Sequence, residues 1–204
     1  MAGERVVDFY YSIGSRYSYL ASTQIAKLEG ETGCRVRWHP VNGADIRALR
    51  GRDPFAGEPL SGQYEWPYRR YDAECWADYY GVPFREPPSP RFDYRPLVKA
   101  ATAAKRLGAV VPCSHALFRA VWVEGVWPVD EGVCREAAAS VGLSPSEFAE
   151  AFMDPATENE LRNRAAEAHR RGAFGVPTFF VGDRMFWGND RLVLVRHYLR
   201  TLGT

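Results

Sequence analysis

The chain has 204 residues, of which 46% are hydrophobic and 25% charged, enough for one domain, or one domain carrying a large insertion, around a sizeable core. Its formal net charge of +1 at pH 7 gives no steering toward nucleic acid or an anionic membrane, and neither is expected as a partner. No apolar run reaches membrane-spanning length, and Met1-Ala2-Gly3-Glu4-Arg5 leads directly into a strand-like run without the apolar stretch of a signal peptide, so a cytoplasmic protein is expected.

Val6 to Ile13 is β-branched and aromatic and predicts a strand, broken by Gly14 and Ser15. From Tyr17, apolar side chains at Leu20, Ala21, Ile25 and Leu28 have helical spacing, and Gly30 and Gly33 end that helix. Val36 and Trp38 alternate with Arg35 and Arg37 in a second strand that stops near Pro40. This opening is the start of a βαβ unit with a right-handed crossover.

From about Asp45 to Arg171 the patterns are mostly helical, interrupted by Gly and Pro clusters. The stretch Phe84 to Pro96 is rich in proline and predicts a loop. Ser144-Pro145-Ser146-Glu147 reads as a capping box with Pro at the first helical position, and Thr157-Glu158-Asn159-Glu160 as a second such box. Leu161, Ala165 and Ala168 mark one face of the helix that follows, and Gly172 ends it. Strands then return: Thr178 to Val181, a Gly182-Asp183 turn, and Met185-Phe186-Trp187 make a hairpin. Asp190 can N-cap a last helix with Leu192, Val195 and Leu199 on its apolar face. The expectation is an α/β fold of order βαβ…ββα, residues 1–44 and 172–204, split by an all-helical insertion over 45–171.

Four cysteines occur, Cys34, Cys75, Cys113 and Cys134, with no C-x-x-C pair, so neither a zinc ribbon nor a dithiol redox motif is visible and no metal is expected. They read as free thiols with a packing role, Cys75 beside Trp76 as buried filler. With 6 Trp, 11 Tyr and 11 Phe, a flat aromatic pocket is permitted.

Three junctions could carry chemistry. Ser15 lies at the first strand-to-helix turn, where helix N–H groups favour anions. Its hydroxyl could donate to an anion, or it could be an N-cap alone. At Gly175-Val176-Pro177-Thr178, a cis Val-Pro bond would leave the Val176 backbone free to pair with an extended peptide; an ordinary strand start is the alternative. Asn189 and Asp190 could bind an ammonium and a carboxylate at a helix start, or merely cap it.

Taken together, these segments resemble the 2-hydroxychromene-2-carboxylate isomerase family, relatives of kappa-class glutathione transferases within the DsbA-like thioredoxin superfamily. The matching stretches are Asp8-Phe9-Tyr10-Tyr11, Ser15 with Tyr17-Ser18-Tyr19-Leu20-Ala21, and Tyr80-Gly81-Val82-Pro83-Phe84. Further on come Ala116-Leu117-Phe118-Arg119-Ala120 with Trp122-Val123-Glu124-Gly125, and the run from Gly172 to Leu192.

The resemblance implies a thioredoxin-like core with a helical insertion, glutathione or another low-mass thiol as cofactor, and Ser15 as the catalytic residue that favours its thiolate. It implies that Val176 pairs with the cysteinyl backbone, and that Trp187, Gly188, Asn189 and Asp190 hold the γ-glutamyl end. The substrate would be a small aromatic carboxylate, with Arg47 as the nominated cation and Arg16, Arg52 and Arg85 as further candidates; a homodimer is possible. The chain departs from the family pattern at Arg16, where Pro is usual, and at Ser12-Ile13-Gly14, where Phe-Asp is usual before the site. It departs again at Val41-Asn42-Gly43 and Arg50-Gly51-Arg52, the latter offering no ligand-binding asparagine. A glutathione transferase, a thiol–disulfide oxidoreductase and a non-catalytic thiol binder are the alternatives; the missing C-x-x-C weighs against the oxidoreductase.

Overall fold

The computed structural model describes residues 5–51, 66–88 and 93–202. Four strands form one mixed sheet: β1 (Val6–Tyr11), β2 (Arg35–Pro40), β3 (Thr178–Val181) and β4 (Arg184–Trp187), in the spatial order β2-β1-β3-β4. β1 runs parallel to β2, with Phe9 opposite Trp38. It runs antiparallel to β3, with Tyr10 opposite Thr178, and Thr178 in turn lies opposite Trp187 of β4. The hairpin between β3 and β4 turns at Gly182, whose φ of 58° suits glycine.

Alternation along β1 divides the core in two. Val7, Phe9 and Tyr11 point to one face with Phe179 and Val181. There the rings of Phe9 and Tyr11 stack at 4.9 Å, as do those of Phe9 and Phe179. That face is covered by α1 (Arg16–Ser22), α2 (Ile25–Thr32), α5 (Arg95–Arg106), α6 (Val110–Trp122) and α10 (Leu192–Thr201), through Leu20, Leu28, Leu97, Phe118 and Val195 among others. Each fully buried aromatic ring on this face contributes on the order of 2 kcal/mol. Tyr10 and Phe180 point the other way, onto Ile46 of α3 (Gly43–Leu49) and Ala165 and Ala168 of α9 (Pro155–Arg170). Beside α4 (Trp66–Tyr80), the remaining helices are α7 (Glu131–Ser140) and α8 (Pro145–Met153). Cys134, Phe148 and Phe152 of α7 and α8 belong to the same cluster as Phe9, so these two helices share the core of the first face.

On the second face Asp8 gathers charge. Its Oδ1 accepts from Arg37 Nε at 2.8 Å and His39 Nε2 at 2.9 Å, and its Oδ2 from Arg171 Nη1 at 2.8 Å. Arg164 Nη1 contacts His39 Nδ1 at 2.6 Å. Because an arginine can only donate, Nδ1 is a bare acceptor and the proton sits on Nε2, so His39 is neutral.

Several local expectations need correction. The first strand stops at Tyr11, because the chain turns just beyond it, where Ser15 N–H claims the Ser12 carbonyl. The helix expected from Tyr17 is two helices broken at Thr23–Gln24, and Gly30 lies inside the second. There the Thr23 hydroxyl bonds back to Leu20 carbonyl and competes with the helix ladder. Ser144 does N-cap α8, but its hydroxyl meets Ser146 rather than the helix N–H groups. Thr157 does not start a helix; Asp154 and Pro155 do, and the Thr157 hydroxyl donates to Ala151 carbonyl inside the turn. Pro96 lies in the first turn of α5 rather than in a loop. Asp190 sits within a short 3-10 turn, Asn189–Arg191, whose N-cap is Gly188; α10 follows from Leu192. Cys75 is exposed on α4, not buried. Among the described residues no helix is long and apolar enough to cross a membrane.

Candidate active site

The sheet pairing brings three separate junctions to one end. Tyr10 of β1, Thr178 of β3 and Trp187 of β4 are paired across the sheet, so the segments just beyond them share that end. They are the turn after β1, the loop before β3 and the stretch after β4. Tyr11 pairs in parallel with Pro40, which adds Val41-Asn42-Gly43.

Ser15 is the N-cap of α1, in extended conformation, and its Oγ accepts from Ser18 N–H at 3.2 Å. Both sequence readings of Ser15 meet here. The cap uses a lone pair and leaves the hydroxyl proton, and among the described residues no acceptor takes that proton. The turn is fixed from behind: Trp122 Nε1 donates to Ile13 carbonyl at 2.7 Å, and Ser15 N–H donates to Ser12 carbonyl at 3.0 Å. Gly14 is required by a close approach, since a Cβ there would fall into the ring of Tyr94. Gly14→Ala therefore displaces Tyr94 and should lower stability by about 1–3 kcal/mol. In denaturant melts, adding Tyr94→Ala should recover part of that loss; purely additive effects would show that the two do not touch.

Before β3, the Val176–Pro177 bond is cis. Among the described residues neither backbone group of Val176 makes a hydrogen bond. The neighbouring groups are tied down: Thr178 Oγ1 donates to Gly175 carbonyl at 2.8 Å, and Gly188 N–H donates to Pro177 carbonyl at 3.0 Å. The second bond fastens the loop to the 187–190 segment. Phe174 packs on Trp187, with ring centroids 4.9 Å apart, and the Arg50 guanidinium lies 5.4 Å from the Phe174 centroid. Asn189 is buried; its carbonyl accepts from Tyr80 OH at 3.3 Å, and its Nδ2 has no hydrogen-bond partner among the described residues. The 3-10 turn that carries it packs on α1. Asp190 pairs with Arg191 at 2.8 Å.

The four nominated arginines have different fates. Arg47 stands at this end: a Cβ on Gly43 would lie 3.4 Å from Val176 Cγ2 and 3.6 Å from Arg47 Nη1. Arg16 is only 5% exposed and pairs with Glu86 at 2.9 Å. Burial pulls the Arg16 guanidinium below its usual value while Glu86 opposes, and burial pushes the Glu86 carboxyl up. Arg85 turns away to the 124–125 turn, where it donates to Glu124 carbonyl at 3.4 Å and packs over Gly125. Arg52 lies outside the described residues. Sequence reasoning missed Glu86, Tyr94, Arg50 and Phe174. Tyr80 and Phe174 fell inside stretches that carried the resemblance, whereas Glu86 stands in a proline-rich loop that offers no periodicity to read.

The profile of the DsbA-like thioredoxin domain matches residues 6–200. A 2-hydroxychromene-2-carboxylate isomerase from Sphingobium xenophagum is 31% identical over 195 residues, 96% of this chain and 98% of that protein. The chain belongs to this isomerase family within the DsbA-like thioredoxin fold. A solved structure of a 2-hydroxychromene-2-carboxylate isomerase superposes with a TM-score of 0.84 at 28% identity, covering 97% of this chain and 95% of the other. Human glutathione S-transferase kappa 1 is 24% identical over 212 residues, 96% of this chain and 91% of that protein. The Ser15, Val176 and 187–190 segments, to which the resemblance gave the thiol, meet at one end of the sheet.

Proposed function

We propose that the chain is a glutathione-dependent isomerase of 2-hydroxychromene-2-carboxylate or a related aromatic carboxylate. The observation that carries this is the Ser15 hydroxyl, capped from Ser18 N–H yet with its proton still available, at the start of a helix. The residues fit the thiol tripeptide. The unpaired Val176 backbone suits an extended cysteinyl unit, as an added strand would. The buried Asn189 Nδ2 offers a donor with no acceptor among the described residues, suited to the γ-glutamyl carboxylate.

When bound, glutathione supplies a thiolate that adds reversibly to the conjugated ring and leaves unchanged. The chain's part is to keep the sulfur ionised. A thiol with a pKa of ~8.5 is only about 3% ionised at neutral pH, and a drop of roughly two units makes it mostly thiolate. That drop corresponds to about 2.7 kcal/mol, within reach of the Ser15 hydroxyl and the N–H groups of the first turn of α1. Arg47, at the same end as Val176, would be the cation for a substrate carboxylate; Arg16 is buried with Glu86. None of the four cysteines stands at the start of α1, so a mixed disulfide cannot form there.

The test is to mix the protein with glutathione and the chromene carboxylate and follow the absorbance spectrum. A change to the isomer that requires glutathione supports the assignment. Accumulation of a glutathione adduct by mass would make the protein a transferase, and no reaction with either outcome would remove both readings.

A further inference from the structure

We propose that Glu86, by pairing with Arg16 in the first turn of α1, sets the acidity of the thiol held at Ser15. The inference rests on the thiol site described above. Arg16 follows Ser15 directly in the chain, where the resemblance leads one to expect an uncharged proline. A guanidinium at that place acts on any anion at the helix start, and in a water-poor site it acts strongly. Here it does not act alone. Glu86 Oε1 lies 2.9 Å from Arg16 Nη2, and the two side chains are 1% and 5% exposed. The pair is nearly dry, so the carboxylate opposes the charge that the guanidinium would otherwise present at the helix start.

Among the described residues, the other groups around the pair leave that balance in place. Tyr17 on α1 and Tyr94 at the start of α5 are held neutral by burial. From α4, Arg69 bears on both members, and Arg70 and Glu74 bear on Glu86 with opposite signs. Stability alone gives no reason for such a pair, because a buried ion pair is often no better than apolar side chains of the same volume. A pair placed one residue from the thiol-binding serine has a reason in the chemistry. It fills the position after Ser15 with a cation and returns the helix start to near neutrality, so the hydroxyl and the backbone N–H groups remain the main thiolate donors.

The measurement is the ultraviolet thiolate absorbance of glutathione bound to the intact protein, titrated with pH. Glu86→Gln removes the countercharge and should lower the bound thiol pKa by about one unit, a tenfold shift in ionisation. The double variant Arg16→Met/Glu86→Met removes both charges and should return it to within about half a unit of the wild-type value. It also serves if the single variant does not fold. An unshifted titration in folded Glu86→Gln overturns the proposal. So does a rise of more than about one unit in the double variant, which would mean that Arg16 acts on the sulfur at full charge despite Glu86. If the wild-type protein gives no saturable thiolate signal, the thiol site itself is wrong and this inference falls with it. A wild-type signal alongside an unshifted variant condemns the role of Glu86 alone.

Discussion

Ser15→Ala should lower turnover at least about tenfold, and Ser15→Asp should lower it by about a hundredfold or more while holding the fold better than alanine does. The serine has two duties that these replacements separate. As an N-cap it accepts from Ser18 N–H at 3.2 Å, and losing that cap to alanine costs roughly 1 kcal/mol of stability. Aspartate caps about as well as serine, so its denaturation midpoint should stay near the wild-type value. As a donor, serine gives its proton to the sulfur. Alanine removes the donor, but aspartate puts a negative charge where the thiolate must form. Two like charges about 4–5 Å apart at an effective dielectric of ~20 repel by roughly 3–4 kcal/mol, enough to keep the thiol protonated at neutral pH. A pure cap predicts the reverse order, with alanine the worse of the two. The checks are turnover with glutathione and a urea melt on the same preparations; an aspartate variant as active as wild type would remove the hydroxyl from the mechanism.

The aspartate test is needed because the cap and the donor looked alike in the sequence. Ser15 before a helical pattern announced a cap, and the cap is there. Val176-Pro177 and Asn189-Asp190 were each weak alone. The order of all three along the chain carried the functional reading, and the pairing of Tyr10, Thr178 and Trp187 now gives the physical reason that they meet. The alternation in β2 and the apolar faces of α9 and α10 were equally legible, because a buried face imposes its period on the residues that build it.

What was illegible depends on contacts between distant segments. The register that puts Tyr94 over Gly14 leaves only a glycine as its trace. Arg16 looked like a substrate cation until its partner, 70 positions away in a loop, was in view. Asp190 satisfied every rule for a cap, yet the cap of the 3-10 turn is Gly188, whose φ of 112° admits glycine and little else. Cys75 shows the limit of residue statistics: cysteine is usually buried, but its place on α4 is set by the faces that Ala73 and Ala77 turn inward.

Asp8→Ala should destabilise the protein by about 2–3 kcal/mol, less than breaking a fully buried pair because water reaches part of the cluster. Asp8 is 7% exposed and accepts from Arg37, His39 and Arg171; alanine leaves the partly buried Arg171 and His39 without their carboxylate, while Arg37 is half exposed. The same cluster makes the fold acid-labile. Burial would raise the Asp8 carboxyl, but the bonds from His39, Arg171 and Arg37 outweigh it and hold it well below the usual carboxylate range. Its contribution is therefore complete above the unfolded value of 3.8 and is lost as pH falls through the lower folded value. His39 acts earlier. Burial pulls it below its ordinary 6.5 although Asp8 pulls the other way, and Arg164 already occupies Nδ1. Below about pH 6.5 the unfolded chain takes up a proton that the native state resists, so stability falls on acidification and rises again toward neutrality. His115, lowered by burial, adds a slope of the same sign. His39→Gln isolates the first effect, since an amide can donate to Asp8 and accept from Arg164 without titrating. Urea midpoints between about pH 5 and 7.5 should show a shallower slope in that variant than in wild type, with His115 supplying what is left. An unchanged slope would mean that His39 keeps its neutral form in the unfolded chain as well, or that Arg164 does not hold its ring.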